Sequence, residues 1–206
     1  MSTNKPTVFA VDDDVSFLKS LARLLQASGY SVETAVSAEQ FLAQRPPEAH
    51  GCVLADLRMP GMNGIELQAA LAKSGNPLPI VFLTGHGDVP TSVKAMRHGA
   101  EDFLMKTAPK KDLIAAVERA LARDARDREA RLRQRELHGC FDKLTPRESE
   151  VLSHVLTGQL NKQIAADLGI DERSVKRHRT SFMRKIGVQS VAELAQLAAE
   201  AGIRGV

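Results

Sequence analysis

Short, largely apolar runs alternate with segments of helical periodicity along the first 109 residues of this chain. Turn residues bound the runs, which indicates strands buried on both faces of a parallel sheet. Strands are predicted over residues 7–11, 31–35, 51–55, 79–83 and 101–104. Helices are predicted over residues 15–28, 37–44, 64–73, 89–97 and from 110 onward. This alternation predicts an α/β domain built on a five-stranded, doubly wound parallel sheet.

The helix that starts at Lys110 is predicted to be long. Its apolar positions lead into the charged stretch 123–129, and neither glycine nor proline occurs between Lys110 and Gly139. At about 1.5 Å per residue, a helix over residues 110–138 would extend on the order of 40 Å. Such a helix is either a rigid spacer or part of a dimer interface. The alternative is a solvent-exposed linker whose helical structure is unstable.

The remaining pattern is entirely helical. Thr145, Pro146 and Glu148 form a capping box with a first-turn proline, which predicts a helix that ends near Gly158. Further helices are predicted over residues 161–168, 172–186 and 190–201, the second of them capped by Asp171. The first two are short and are joined by a turn that contains glycine, so a four-helix domain with a helix-turn-helix arrangement is expected.

Acidic residues stand where two predicted strands end. Asp12, Asp13 and Asp14 follow the first strand, and Asp56 follows the third. Carboxyl ends of neighbouring parallel strands share one edge of a sheet, where ligands collect, so the acids are expected to converge if these strands are neighbours. Crowded carboxylates repel one another unless a cation lies among them, and Mg²⁺ suits such ligands. Asp14 is instead assigned to capping the first helix; Asp12 or Asp13 alone can also be read as a cap or a turn residue.

Two more polar side chains follow predicted strands, namely Thr84 and Lys106. A phosphoryl group on Asp56 would need such neighbours, because an ammonium group and a hydroxyl can stabilise its oxygens beside Mg²⁺ on Asp13 and Asp56. Taken singly, a threonine here is a turn residue and a lysine a surface residue. Taken as a set, the residues predict a phosphoryl site.

Positive charge is concentrated in the second half of the chain. The whole chain carries a formal charge of +3; residues 1–109 carry 9 basic and 11 acidic residues, and residues 110–206 carry 19 and 14. The predicted helix 172–186 has no acid after Glu172, which suits the major groove of DNA, with a solvated basic face as the alternative. Lys176, Arg177 and Thr180 share one helical face that can reach base edges. The residues expected to face the core are Val175, Phe182, Met183 and Ile186.

The sequence gives little support for a membrane protein, a disulfide-bonded protein or a zinc site. No run of eighteen apolar residues occurs, so a cytoplasmic protein without membrane contact is expected. Cys52 and Cys140 lie far apart and are expected to be free thiols, and the six histidines lack the spacing of zinc ligands.

The first domain resembles the receiver domain of two-component response regulators over residues 5–120. The resemblance rests on VDDD at 11–14, DLRMPGMNG at 56–64, LTGHGD at 83–88 and GAEDFLMK at 99–106. It implies that Asp56 accepts a phosphoryl group from a sensor histidine kinase, and that Thr84 and Phe103 form a switch pair. It also implies Mg²⁺ on Asp13 directly, on Asp12 through water and on the Arg58 carbonyl. The family usually has proline after the lysine, often in a cis bond, where this chain has Thr107, so Lys106 is expected to be held differently.

The second domain resembles the LuxR-type DNA-binding domain, through LTPRE at 144–148, NKQIA at 161–165 and SVKRH at 174–178. Together the two resemblances indicate the NarL/FixJ family. They imply a receiver over 1–122, a helical linker over 123–140 and a helix-turn-helix domain over 141–206. The DNA contacts implied or predicted are Lys162, Lys176, Arg177, Arg179 and Thr180.

The expected mechanism is a phosphorylation switch in a regulator that is not an enzyme. Phosphorylated Asp56 would favour a homodimer formed through the predicted helix 89–97 and the fifth strand, and the dimer would bind double-stranded DNA. RNA polymerase is a further candidate partner. Two alternatives are a magnesium-dependent aspartyl phosphatase and a constitutive DNA-binding protein whose receiver only dimerises.

Overall fold

The structure, a computed structural model, describes residues 5–85 and 96–203. Its strands are β1 (Thr7–Val11), β2 (Ser31–Ala35), β3 (Gly51–Asp56), β4 (Ile80–Thr84) and β5 (Asp102–Met105). The helices described in the first part of the chain are α1 (Val15–Ala27), α2 (Ala38–Gln44), α3 (Gly64–Lys73) and α4 (Lys110–Phe141). Those that follow are α5 (Pro146–Leu156), α6 (Asn161–Leu168), α7 (Glu172–Ile186) and α8 (Val191–Glu200). The chain divides into two compact units, Met1–Arg128 and Glu129–Val206, and their boundary falls within α4.

The first unit is built on a parallel sheet in the order β2-β1-β3-β4-β5. β3 is buried at all six positions because it lies in the centre of the sheet. Alternate residues of each strand point to opposite faces, which creates two separate cores. One core joins the sheet to α1 and the first turns of α4. The other core joins it to α2 and α3. The predicted five-stranded, doubly wound architecture is confirmed.

The second unit has a single helical core. Its largest fully buried side chains are Phe182, Ile164 and Leu194, from α7, α6 and α8. Gly169, with a φ of 62°, ends α6 in the left-handed conformation that a side chain disfavours. The sharp turn there lets α6 and α7 share this core, and the predicted helix-turn-helix arrangement is confirmed.

Several predicted boundaries were wrong by one to three residues. Ser37 and Ser190 lie outside α2 and α8, because each accepts a backbone hydrogen bond from the first turn as an N-cap. The long helix ends at Phe141 and not at 138, since a helix tolerates Gly139 at a cost of only about 1 kcal/mol. β4 and β5 each begin one residue later than predicted. Most of the predicted helix 89–97 lies outside the described residues.

Among the described residues, no helix is both long and apolar enough to cross a membrane.

Candidate functional site

Three carboxylates meet at the carboxyl edge of the sheet. β1 and β3 are neighbours with Val11 opposite Ala55, so the residues that follow or end them come together. Ligand oxygens of Asp12, Asp13 and Asp56 all lie within 4.8 Å of one another. Asp12 and Asp56 are buried, whereas Asp13 is exposed. The cluster therefore reaches solvent mainly at Asp13.

Asp14 lies outside this cluster. Its carboxylate accepts hydrogen bonds from the backbone amides of Ser16 (2.8 Å) and Phe17 (3.1 Å), and so it caps α1. The predicted capping role is confirmed.

Lys106 places its ammonium group between the two buried acids. Its Nζ lies 2.6 Å from Asp12 Oδ2 and 2.9 Å from Asp56 Oδ2. The same Nζ lies 4.7 Å from the centre of the Phe17 ring, close enough for a cation–π contact. Lys106 therefore lies in the acid cluster although Thr107 replaces the proline that the family usually has next. The peptide bond between Lys106 and Thr107 is trans.

The electrostatics of the cluster are only partly balanced. Burial raises the pKa of Asp12, and hydrogen bonds from Lys106 and the Asp14 amide oppose that shift without cancelling it. Burial alone would lower the pKa of Lys106, but its hydrogen bonds to Asp12 and Asp56 raise it. Three carboxylates and one ammonium leave a net charge of −2 at the cluster.

Thr84 and Phe103 lie on neighbouring strands beside the acids. Thr84 ends β4, is only 2% exposed and accepts a backbone hydrogen bond from Lys106 (2.8 Å). Phe103 lies on β5 with its ring partly buried and 6.5 Å from the ring of Phe82, centre to centre. The residues His86, Gly87 and Asp88 of the predicted motif lie outside the described residues.

The loop after Asp56 is held close to the acids. The Arg58 amide donates to Asp56 Oδ1 at 3.3 Å, and the Gly64 amide donates to the Leu57 carbonyl at 3.1 Å. A side chain at Gly64 would place its Cβ 2.6 Å from the Asp56 carbonyl oxygen, so only glycine fits there. Asn63 and Glu66 form a capping box that starts α3 directly after this loop.

The two faces of α7 differ as predicted. Val175, Phe182 and Ile186 are buried, and Met183 packs partly buried against the same core. Lys176, Arg177 and Thr180 are exposed. The Asp171 carboxylate caps the helix by accepting from the Ser174 amide at 2.8 Å.

Two other candidate DNA contacts differ in their surroundings. Lys162 is exposed in the first turn of α6. Arg179 is partly buried, and its guanidinium donates to Asn161 Oδ1 at 2.6 Å. Arg179 therefore also ties α7 to the start of α6.

Sequence reasoning missed the long-range hydrogen bonds of Glu148. Beyond its capping role, this buried carboxylate accepts from Lys185 Nζ at 2.6 Å and from the Ser181 hydroxyl at 2.7 Å. It also accepts from the Thr145 amide at 2.8 Å. Glu148 thus joins α5 to the C-terminal half of α7, and its long-range partners gave no local signal in the sequence.

Both units match known families. Residues 8–118 match the family described as the response regulator receiver domain, and residues 142–198 match bacterial regulatory proteins of the luxR family. The chain belongs to the NarL/FixJ family of two-component response regulators. As such it is a DNA-binding transcriptional regulator.

Relatives of this response regulator match it along nearly all of their length. It is 40% identical to nodulation protein W of Bradyrhizobium diazoefficiens, over 98% of this chain and 89% of that protein. It is also 40% identical to the response regulator protein TodT of Pseudomonas putida, over 96% of this chain and 87% of that protein. The solved structure of the response regulator StyR is 48% identical, with a TM-score of 0.80 over 95% of this chain and 99% of that one. The solved structure of full-length FixJ from B. japonicum is 36% identical to this chain, with a TM-score of 0.58 over 97% of this chain and 98% of that one.

The acid cluster of this regulator fits a divalent cation. Receiver domains of its family imply Mg²⁺, which prefers carboxylate oxygens and keeps part of its shell for water. Asp12, Asp13 and Asp56 supply such oxygens within one ion's reach, and the exposed Asp13 leaves a route from solvent. Asp12 and Asp56 are both buried beside a single ammonium group, so a cation held by the three acids would offset the remaining negative charge.

Proposed function

We propose that Asp56 is the phosphoacceptor of this regulator and that a sensor histidine kinase is its phosphoryl donor. A carboxylate oxygen of Asp56 attacks the phosphorus of a phosphohistidine. The P–N bond breaks, a P–O bond forms, and the imidazole nitrogen leaves with the bonding electron pair. The observation that carries this proposal is that Asp56 contacts Lys106 Nζ at 2.9 Å within one cluster with Asp12 and Asp13.

The neighbours of Asp56 have distinct roles in this proposal. Mg²⁺ on Asp13, Asp56 and the Arg58 carbonyl, with Asp12 acting through water, would neutralise charge on the phosphoryl oxygens. Lys106 contributes a point charge to the same oxygens, since its ammonium already contacts Asp56. The Thr84 hydroxyl then donates a hydrogen bond to the phosphoryl group, and the Phe103 ring turns inward behind it.

Phosphorylation then acts by a shift of population. The phosphorylated receiver favours homodimers, formed through the predicted segment 89–97 and β5. Two copies of α7 bind related half-sites of double-stranded DNA, so affinity rises by avidity without new base contacts. The proposed domain limits are a receiver over 1–122, a linker over 123–140 and a DNA-binding domain over 141–206. RNA polymerase is a further proposed partner, and the cytoplasm is the proposed location.

One experiment tests the switch as a whole. A DNA duplex that the protein binds is first selected from a pool of random sequences. The affinity of the full-length protein for this duplex is then measured with and without acetyl phosphate and with and without Mg²⁺. Affinity is expected to rise only when both additions are present. Equal affinity in all conditions would favour a constitutive DNA-binding protein, and steady turnover of phosphate esters would favour a phosphatase.

Replacing Lys176 and Arg177 together with alanine is expected to weaken binding to the selected duplex by at least about tenfold. Both side chains are exposed on the face of α7 opposite its buried residues, where they can reach base edges. Binding to unselected DNA should fall less, because phosphate contacts elsewhere persist. Fluorescence anisotropy at fixed salt measures both affinities.

The matched control replaces Lys110 and Lys111, two exposed lysines at the start of α4, and removes the same charge. An equal loss of affinity in both double variants would mean that net charge, and not the α7 face, decides binding.

A further inference from the structure

Glu39 connects α2 to the loop that follows Asp56. It lies in the first turn of α2, a helix capped by Ser37. Its Oε1 accepts a hydrogen bond from the Met62 amide at 2.7 Å, across 23 residues of sequence. A carboxylate at a helix N-terminus is favoured by the helix dipole, so the side chain is well placed to remain ionised. Its hydrogen bonds to its own amide, to Met62 and to Ser37 lower the pKa of Glu39.

The loop is shaped to receive this carboxylate. Gly61 has a φ of 75°, a conformation that favours glycine, and a Cβ there would lie 2.6 Å from Glu39 Oε1. Any side chain at position 61 would therefore push Glu39 away from the Met62 amide. The glycine at 61 therefore leaves room for the Glu39 carboxylate beside the Met62 amide.

Backbone hydrogen bonds hold the loop at several points. Arg58 is attached at one end through its amide, which donates to Asp56. Gly64 is attached at the other end through its amide, which donates to the Leu57 carbonyl. Between these ends, the bond from the Met62 amide to Glu39 is the link from the loop to α2. Met59 is buried in the core and the Asn63 amide donates to Glu66, so loss of the Glu39 link would loosen the loop around residues 60–62 and shift the peptide of Arg58 without releasing the whole loop.

We propose that Glu39 is a positioning residue for the metal site, because it holds the loop that carries the Arg58 carbonyl. Glu39 is not one of the three clustered acids, and it acts through the Met62 amide. This inference rests on the proposed function, in which the Arg58 carbonyl is a ligand of Mg²⁺. It adds α2 to the elements that set the affinity of that site.

Glu39→Ala in the full-length protein is expected to weaken Mg²⁺ binding about three- to tenfold. This is less than the loss of a whole charge-assisted hydrogen bond would cause, because Glu39 acts on the metal site only through the loop. The half-saturating Mg²⁺ concentration for phosphorylation by acetyl phosphate should rise by the same factor. The rate at saturating Mg²⁺ should stay near that of the unaltered protein, since the reacting groups are intact. Glu39→Gln keeps an oxygen that can accept from Met62 and should restore most of the affinity.

The control is Glu48→Ala, which removes one exposed carboxylate from the same unit. Amide shifts in an NMR titration with Mg²⁺ report affinity independently of phosphorylation. An unchanged Mg²⁺ affinity in Glu39→Ala, or a Glu39→Gln variant as weak as Glu39→Ala, would overturn the inference while phosphorylation of the unaltered protein still supports Asp56. Absence of Mg²⁺-dependent phosphorylation in the unaltered protein would overturn the proposed function and this inference with it.

Discussion

Asp56→Asn is expected to abolish phosphoryl incorporation from acetyl phosphate and, with it, the dimerisation that phosphorylation induces. Asparagine has nearly the shape of aspartate, but its amide lacks the anionic oxygen that attacks phosphorus. It also removes one of the three carboxylates that would hold Mg²⁺. Incorporation is measured by mass spectrometry of the intact protein, and association by analytical ultracentrifugation. Because the side chain is nearly the same size, the fold should be retained.

The matched control for this variant is Asp14→Asn. Asp14 is an aspartate close in sequence to the cluster, but its carboxylate caps α1. Asparagine caps helices as well as aspartate does, so phosphorylation and stability should stay close to normal. Unchanged phosphate incorporation in Asp56→Asn would refute its assignment as the acceptor, and a loss in Asp14→Asn would extend the site beyond the three clustered acids.

Glu148→Ala is expected to lower the free energy of unfolding of the second unit by about 2 kcal/mol, the usual scale for hydrogen bonds to a charged group. The substitution leaves Lys185, Ser181 and the Thr145 amide without their shared acceptor. Since two of these groups lie on α7, DNA affinity should fall as the helix loses its orientation. Hydrogen exchange of α5 and α7 amides in the full-length protein measures the local free energy of opening.

The same residue predicts a dependence of stability on pH. Hydrogen bonds from Lys185, Ser181 and the Thr145 amide lower the pKa of Glu148 to about 2, from an ordinary value of 4.5. A folded-state pKa below the unfolded value means that the stabilisation is fully present above pH 4.5. It is lost as the pH falls from about 4.5 to about 2, where the folded protein must also bind the proton. Glu148→Ala should lack this contribution, so the two proteins should converge in stability at low pH.

Glu150→Ala is the control for Glu148, because it removes an acid from the same helix. Glu150 is half exposed and pairs with Arg147 on the surface, a type of pair that contributes about 0–1 kcal/mol. Its loss should leave amide exchange in α7 and DNA affinity nearly unchanged. Equal effects of the two substitutions would contradict the role given to Glu148.

Local patterns were enough to predict the described strands and helices to within three residues, and several of the helix caps. The backbone amides that donate to the side chains of Asp14, Asn63, Thr145 and Asp171 lie within three residues of each cap, so these helix starts can be read from neighbouring residues alone. Buried apolar runs predicted the strands for a similar reason, because a central parallel strand excludes polar side chains from both faces. Once β1 and β3 were taken as neighbours, their parallel alignment predicted the convergence of Asp12, Asp13 and Asp56.

The sequence by itself therefore determined the elements, the parallel sheet and the group of acids at one edge, because these depend on periodicity and on strand ends. Only the tertiary structure decided which distant groups meet. Lys106 was expected near Asp56, but only the structure shows that it also contacts Asp12. Glu148 holds Lys185 and Glu39 holds Met62, over separations of 23 residues or more. The partners of a long side chain depend on the rotamers and packing of several elements at once, so no local pattern in the chain specifies these contacts.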